Sequence, residues 1–237
     1  MKMTLRLCGF FLALLAFTAQ ASIVVGGTRI IYPANKKEVQ VTLKNSDEGV
    51  KYLVQSWVSN IDDSKAPFIV TPPIYKMEGG RQALLHVVFT GDKNQLPVDK
   101  ESLFVANIKS VAAMPEELKD KNTLQFAMKT RLKLFWRPTQ LSNNDALTAW
   151  EKVVFRRQGE ALIAKNPTPF YISLLDLTVG GKAVQPLNAK HVPEALAMTL
   201  APFSEQQFRI PSGASGKVAW SAVNDFGAAT ATRQQNL

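Results

Sequence analysis

The chain has 237 residues, 46% of them apolar, and a formal net charge of +9. Its single cysteine excludes an internal disulfide, and its two histidines, His86 and His191, have no neighbouring histidine or HExxH context, so neither points to a zinc site. The basic residues are scattered, with no run beyond Lys36-Lys37 or Arg156-Arg157, which fits a soluble basic surface rather than a nucleic-acid-binding tract.

The first predicted element is a secretory signal peptide over residues 1–21. Lys2 and Arg6 form a positive start, Cys8 to Phe17 is an almost unbroken apolar run, and Ala19-Gln20-Ala21 is a small-x-small cleavage site. The mature chain is expected to begin at Ser22, in an exported, oxidising environment. Cleavage removes the cysteine and lowers the charge by two, from +9 to +7. Stability must then come from core burial alone. No later segment approaches eighteen uninterrupted apolar residues, so no membrane anchor is expected after cleavage.

Short strands separated by turn residues follow. They are predicted at Ile23 to Val25, Thr28 to Tyr32 (stopped by Pro33), Val39 to Leu43, Tyr52 to Val58, Phe68 to Thr71, Ala83 to Thr90, Ser102 to Ile108 and Leu124 to Trp136. Such spacing suggests an antiparallel β-sandwich. Pro138 to Asp145 is polar and reads as a linker, with a short helical turn predicted over Asp145 to Glu151. A second set is predicted at Val153-Phe155, Ala161-Ala164, Phe170-Thr178, Ala197-Leu200, Gln206-Ile210 and Lys217-Val223. Gly180-Gly181-Lys182 reads as a hairpin turn, and Asn166-Pro167-Thr168-Pro169 must be extended or turned. The fold class is therefore all-β, with two domains expected over 22–140 and 143–237.

No catalytic site or cofactor motif is apparent, so the chain is expected not to be an enzyme. The glycine pairs at 26-27, 79-80 and 180-181 lack the spacing that cradles phosphates. The informative stretch is Asn122 to Pro138, NTLQFAMKTRLKLFWRP. Leu124, Phe126 and Met128 alternate with Gln125 and Ala127, and Arg131, Lys133 and Arg137 follow. Either the apolar row faces its own core and the cations are solvated, or the strand lies at an edge and offers the row to another chain.

Five stretches, in order along the chain, bear on that choice. They are Gly26-Gly27-Thr28-Arg29-Ile30-Ile31-Tyr32-Pro33, Leu96-Pro97-Val98-Asp99-Lys100-Glu101-Ser102-Leu103-Phe104 continuing to Asn107-Ile108, Lys133-Leu134-Phe135-Trp136-Arg137-Pro138, Asn166 to Tyr171, and Trp220-Ser221-Ala222-Val223-Asn224-Asp225-Phe226-Gly227-Ala228. Together they resemble the periplasmic pilus-assembly chaperones, the PapD-like family of the chaperone–usher pathway. The resemblance implies two immunoglobulin-like sandwiches set at an angle around a cleft. It implies a function in fimbrium biogenesis: binding, folding and capping pilus subunits, adhesin included, by lending a strand, and delivering them to an outer-membrane usher. It implies that Leu124, Phe126 and Met128 are the donor row, and that Arg29 and Lys133 bind the subunit's C-terminal carboxylate. It also implies that Glu101, Arg137 and Asp225 form ionic contacts near the domain boundary. The short span from Ile108 to Leu124 resembles the short-loop branch, which mostly assembles rod-like pili. His86 departs from the arginine many members carry there.

Lys133 has opposite parity to Leu124, so in a straight strand it points away from the donor face unless a bulge or twist intervenes. The competing classes are a structural pilus subunit or adhesin, and a hydrolase or carbohydrate-binding module. The first would usually carry an alternating N-terminal extension and often a disulfide. The second needs a carboxylate pair or an aromatic platform, and neither can be placed.

Overall fold

Alternation fixes which side of each strand is buried. In Glu38–Asn45, Val41, Leu43 and Asn45 are buried and Thr42 and Lys44 between them are exposed, as a strand with one wet face requires. The computed structural model describes residues 23–118, 121–187 and 196–237. The signal peptide expected over 1–21, the start at Ser22 and His191 lie outside the described residues.

Nine strands build the first sandwich: β1 (Ile23–Val25), β2 (Arg29–Pro33), β3 (Glu38–Asn45), β4 (Tyr52–Ser59), β5 (Phe68–Thr71), β6 (Ile74–Met77), β7 (Gln82–Phe89), β8 (Ser102–Ala112) and β9 (Ala127–Arg137). One sheet runs β1-β3-β7-β5 and the other β2-β9-β8-β4-β6. Between them lie Leu43, Val54, Met77, Leu85 and Leu134, all fully buried, each stabilising by about 1.5–3 kcal/mol on area grounds. Tyr32 stacks on Trp136 with ring centroids 5.2 Å apart. Its hydroxyl donates to Lys37 O and accepts from Phe89 N–H, so the buried ring carries no unpaired polar atom.

A short helix, α1 (Asn143–Thr148), is capped by the Ser142 side chain, which accepts from Asp145 N–H. The second sandwich follows with β10 (Val154–Gln158), β11 (Ala161–Lys165), β12 (Ile172–Val179), β13 (Lys182–Ala183), β14 (Gln185–Pro186), β15 (Thr199–Leu200), β16 (Glu205–Arg209), β17 (Lys217–Val223) and β18 (Arg233–Asn236). Its sheets run β10-β11-β16-β14 and β13-β12-β17-β18, with β15 also on β12. Leu162, Leu200, Phe208 and Val218 are fully buried in its core, and Trp220 Nε1 donates to Trp150 O at 3.1 Å. At the β12–β13 turn, Gly180 and Gly181 both have positive φ, and a Cβ on Gly180 would stand 2.3 Å from Ser215 O. Only glycine fits that turn.

Three expectations are corrected. The first sandwich is not wholly antiparallel: β2 pairs with β9 in parallel, from Arg29↔Lys133 to Pro33↔Arg137. Pro33 closes β2 from inside the ladder rather than beyond it, which an edge strand tolerates because one side needs no donor. The strand predicted from Leu124 starts at Ala127, because its neighbour β8 ends at Ala112 and the last paired rung is Val111↔Ala127. Strands β6, β13, β14 and β18 were not expected; the last three are two to four residues long and mostly polar.

Candidate functional site

Arg137, the last residue of β9, lies where the two sandwiches meet. Its Nε donates to Glu101 Oε1 at 2.8 Å, its Nη1 and Nη2 to the two Asp225 oxygens at 2.7 and 3.1 Å, and its Nη1 also to Asn143 Oδ1 at 2.9 Å. The other Glu101 oxygen accepts from Tyr171 N–H at 2.8 Å, and Glu101 N–H donates to Pro169 O at 2.9 Å. The sequence builds each arm locally. Asn166 Nδ2 donates to Phe170 O and Ala201 O while its Oδ1 accepts from Thr168, which sets the turn that presents Pro169 and Tyr171. Asn224 Oδ1 accepts from Phe226 and Ala228 N–H, which presents Asp225. A Cβ on Gly227 would stand 2.5 Å from Thr28 Oγ1, so the Gly227 backbone packs directly against the Thr28 side chain of the other domain. Arg137 and Glu101 side chains are 4% and 2% exposed. Burial pushes the Glu101 carboxyl up, opposed by the Arg137 charge and the Tyr171 N–H. Burial disfavours the charge on Arg137, but its hydrogen bonds to Asp225 and the Glu101 charge outweigh that and raise it. The structure thus brings buried Glu101 and Arg137 and half-buried Asp225 into one network joining both domains.

Four rungs away, at the other end of the parallel ladder, Arg29 and Lys133 sit side by side. Both project on the face opposite the core, because Ile30, Leu132 and Leu134 carry the core face. Lys133 Nζ donates to Thr199 Oγ1 at 2.5 Å and lies 3.4 Å from Ser173 Oγ. Arg29 Nη1 donates to Val223 O at 2.8 Å, and its guanidinium lies 5.6 Å from the Phe135 ring centroid. Arg29 Nε is buried with no hydrogen-bond partner. Among the described residues neither cation forms an ion pair. Burial lowers the Lys133 ammonium to about 8, with the adjacent Arg29 charge adding to the effect. Burial also lowers Arg29, with Asp225 and Glu101 pulling the other way. Two adjacent, partly desolvated cations with a vacant donor have the chemistry that attracts an anion.

The β8–β9 register is unbroken from Ser102↔Trp136 to Val111↔Ala127, so no bulge lies between Met128 and Lys133. Their opposite parity is therefore real. Met128 and, at the same parity beyond the strand, Phe126 and Leu124 continue the row of Leu132, Leu134 and Trp136 past the end of the core, while Lys133 faces the other domain. Leu124, Phe126 and Met128 are 80%, 72% and 63% exposed. They line an apolar groove with Tyr52, Met114 and Pro115, and Gln125 Nε2 ties the segment to Ala112 O at 2.7 Å. One edge of β9 is covered by β8. The other is covered by β2 only from Lys133 onward, so Ala127–Leu132 have a free edge among the described residues.

A family model for the N-terminal domain of PapD, a pili and flagellar-assembly chaperone, matches residues 22–142, and one for the C-terminal domain of the pili assembly chaperone PapD matches residues 148–234. The chain belongs to the PapD-like pili assembly chaperones. It is 38% identical over 222 residues to the chaperone protein FimC of Escherichia coli O6:H1, covering 93% of this chain and 87% of that protein. It is 38% identical over 229 residues to the chaperone protein HifB of Haemophilus influenzae, covering 92% and 90%. The E. coli chaperone DraB matches the fold with a TM-score of 0.75 at 33% identity, over 91% of this chain and 98% of that one. The structure of the Salmonella enterica SafA pilin in complex with the SafB chaperone matches with a TM-score of 0.76 at 30% identity, over 93% and 99%. Like the other members, this PapD-like chaperone has two immunoglobulin-like sandwiches with a cleft between them. The family is one of periplasmic chaperones rather than a class of enzymes, and no described helix is long and apolar enough to cross a membrane.

Sequence reasoning did not single out Thr199 and Ser173, which hold the Lys133 ammonium, or Asn143, which completes the Arg137 shell. Isolated hydroxyls and amides carry no spacing signal; only the fold brings them near a cation 6 to 66 residues away.

Proposed function

We propose that this PapD-like chaperone is exported by a cleaved signal peptide, works in the periplasm, and binds pilus subunits by adding its own strand to their incomplete sandwich until an outer-membrane usher takes them. It acts by binding, not by catalysis. The observation that carries this reading is the edge of Ala127–Leu132, free among the described residues, which ends at two cations that have no counter-ion among those residues.

A direction for the added strand follows from this reading. It would lie on the edge that β2 vacates, end to end with β2. Its terminus at Lys133 and Arg29 is a carboxylate only if it runs parallel to β9; an antiparallel strand would bring a cationic N-terminus to two cations. The anchored carboxylate then fixes the register, and register decides which face the side chains meet. Leu124, Phe126 and Met128 would fill the subunit's groove. Burying three such side chains gives roughly 1.5–3 kcal/mol each in area terms, reduced by the ordering of the segment. The Glu101–Arg137–Asp225 network would hold the interdomain angle, so that Lys133 on one domain and the Thr199 hydroxyl on the other stay together.

The test is amide exchange on the free chaperone and on its subunit complex. The amides of Ala127–Leu132 that point away from β8 are expected to exchange fast in the free protein and to gain protection in the complex. Equal exchange in both states would contradict strand addition at this edge.

A further inference from the structure

One like-charge pair near this edge has no acidic partner among the described residues. Lys129 on β9 lies directly across from Lys109 on β8, both exposed and on the face that Lys133 shares. Like charges on opposite rungs destabilise a sheet. The next cation along, Arg131, is paired with Asp63 at 3.0 Å. Among the described residues no acid pairs with Lys109 or Lys129, and the only support for Lys129 is the Trp57 ring, 5.2 Å from Nζ to centroid.

The position of this pair matters. Lys129 stands on the free stretch of β9, so a strand added there would place a residue beside it, on the same face, about 4.8 Å away across the ladder. That face is the one away from the apolar groove, where a charged side chain is cheap to keep. We propose that Lys129, backed by Lys109, is a specificity determinant: it selects subunits whose last strand carries Asp or Glu on its outward face, opposite Lys129. At about 3.3 Å per residue, with the terminal carboxylate at Arg29 and Lys133, that acid lies about two to four residues before the subunit's C-terminus. The inference rests on the parallel strand addition proposed above. It adds a second reading head to the terminal carboxylate, which every chain possesses and which therefore cannot discriminate among subunits.

The experiment uses the subunit that co-purifies with the wild-type chaperone, identified by mass and then produced as a defined probe. Lys129→Glu is expected to weaken its recovery about three- to tenfold. Replacing the subunit's acid by lysine should weaken recovery with the wild type similarly, and combining the two changes should restore it. A zero-length carbodiimide cross-linker, which joins an amine to a carboxylate in contact, should couple that acid to Lys129 or Lys109. Unchanged recovery with Lys129→Glu, a subunit strand with no acid at that place, or no rescue in the double exchange would overturn the proposal. If Phe126→Glu and Lys133→Ala also left recovery intact, the strand-addition reading would fall instead, and the selectivity with it.

Discussion

Arg137→Ala is expected to destabilise the free chaperone by about 3–5 kcal/mol, the largest stability loss of any single change at this seam. The change removes the partner of Glu101, whose side chain is 2% exposed, and leaves a carboxylate in the seam with only the Tyr171 N–H to hold it. It also frees Asp225 and removes the contact to the Phe170 ring, 5.4 Å from the guanidinium carbon. Arg137→Lys keeps the charge but not the fork that reaches Glu101 and Asp225 together, so it should lie between wild type and alanine. Urea unfolding at neutral pH measures this. A shift below about 1 kcal/mol for Arg137→Ala would show that the network does not hold the domains.

Lys133→Ala is expected to act in the opposite sense on stability and far more strongly on binding. Subunit recovery should fall by roughly 30-fold or more, because losing one partner of a desolvated ion contact costs about 2–5 kcal/mol. Arg29→Ala should do the same. The free chaperone, however, should become more stable with Lys133→Met. Its ammonium is pushed down to about 8 by burial and by Arg29, so at pH 7 the folded state carries a charge it disfavours. Relief of that penalty, less the cost of leaving Thr199 and Ser173 without their donor, should give a gain of about 1–2 kcal/mol. The pH dependence follows from the direction of the shift. A lysine with a depressed folded value binds fewer protons folded than unfolded, so its penalty is fully present below pH 8 and is relieved as pH rises towards the unfolded value. Stability should therefore rise with pH across that window in the wild type and not in Lys133→Met. Subunit affinity should fall over the same window, since the carboxylate needs the protonated form. A stability profile identical in the two proteins would contradict a strained ammonium in the cleft.

The sequence carried the fold class because the strands that build the cores alternate or are continuously apolar. Tyr52 to Val58 and Lys217 to Val223 are legible on that ground alone. It did not carry strand direction: Arg29–Pro33 has the same pattern whether it pairs parallel or antiparallel, and only the sheet order makes it run beside β9. Edge strands such as Arg233–Asn236 have no apolar signal, because they pair through backbone and bury little. The segment from Leu124 to Phe126 has the pattern of a strand without forming one. Its alternation is real, but strand structure needs a neighbour, and within this chain that neighbour stops at Ala112. The candidate site was legible only through the five stretches that resemble the family. Nothing in composition or spacing links Arg137 to Asp225, 88 residues away, or Arg29 to Lys133.

The most direct test of strand donation is a melting curve and a subunit pull-down on one preparation of Phe126→Glu. Phe126 is 72% exposed in the free chaperone, so a carboxylate there stays in water and the melting temperature should match the wild type. In the complex the same carboxylate would enter an apolar groove without a partner, at a cost of several kcal/mol, and the pull-down should fail. Normal recovery of the subunit by a well-folded Phe126→Glu chaperone would contradict the account, and so would a collapsed melting temperature, which would mean that Phe126 belongs to the chaperone's own core.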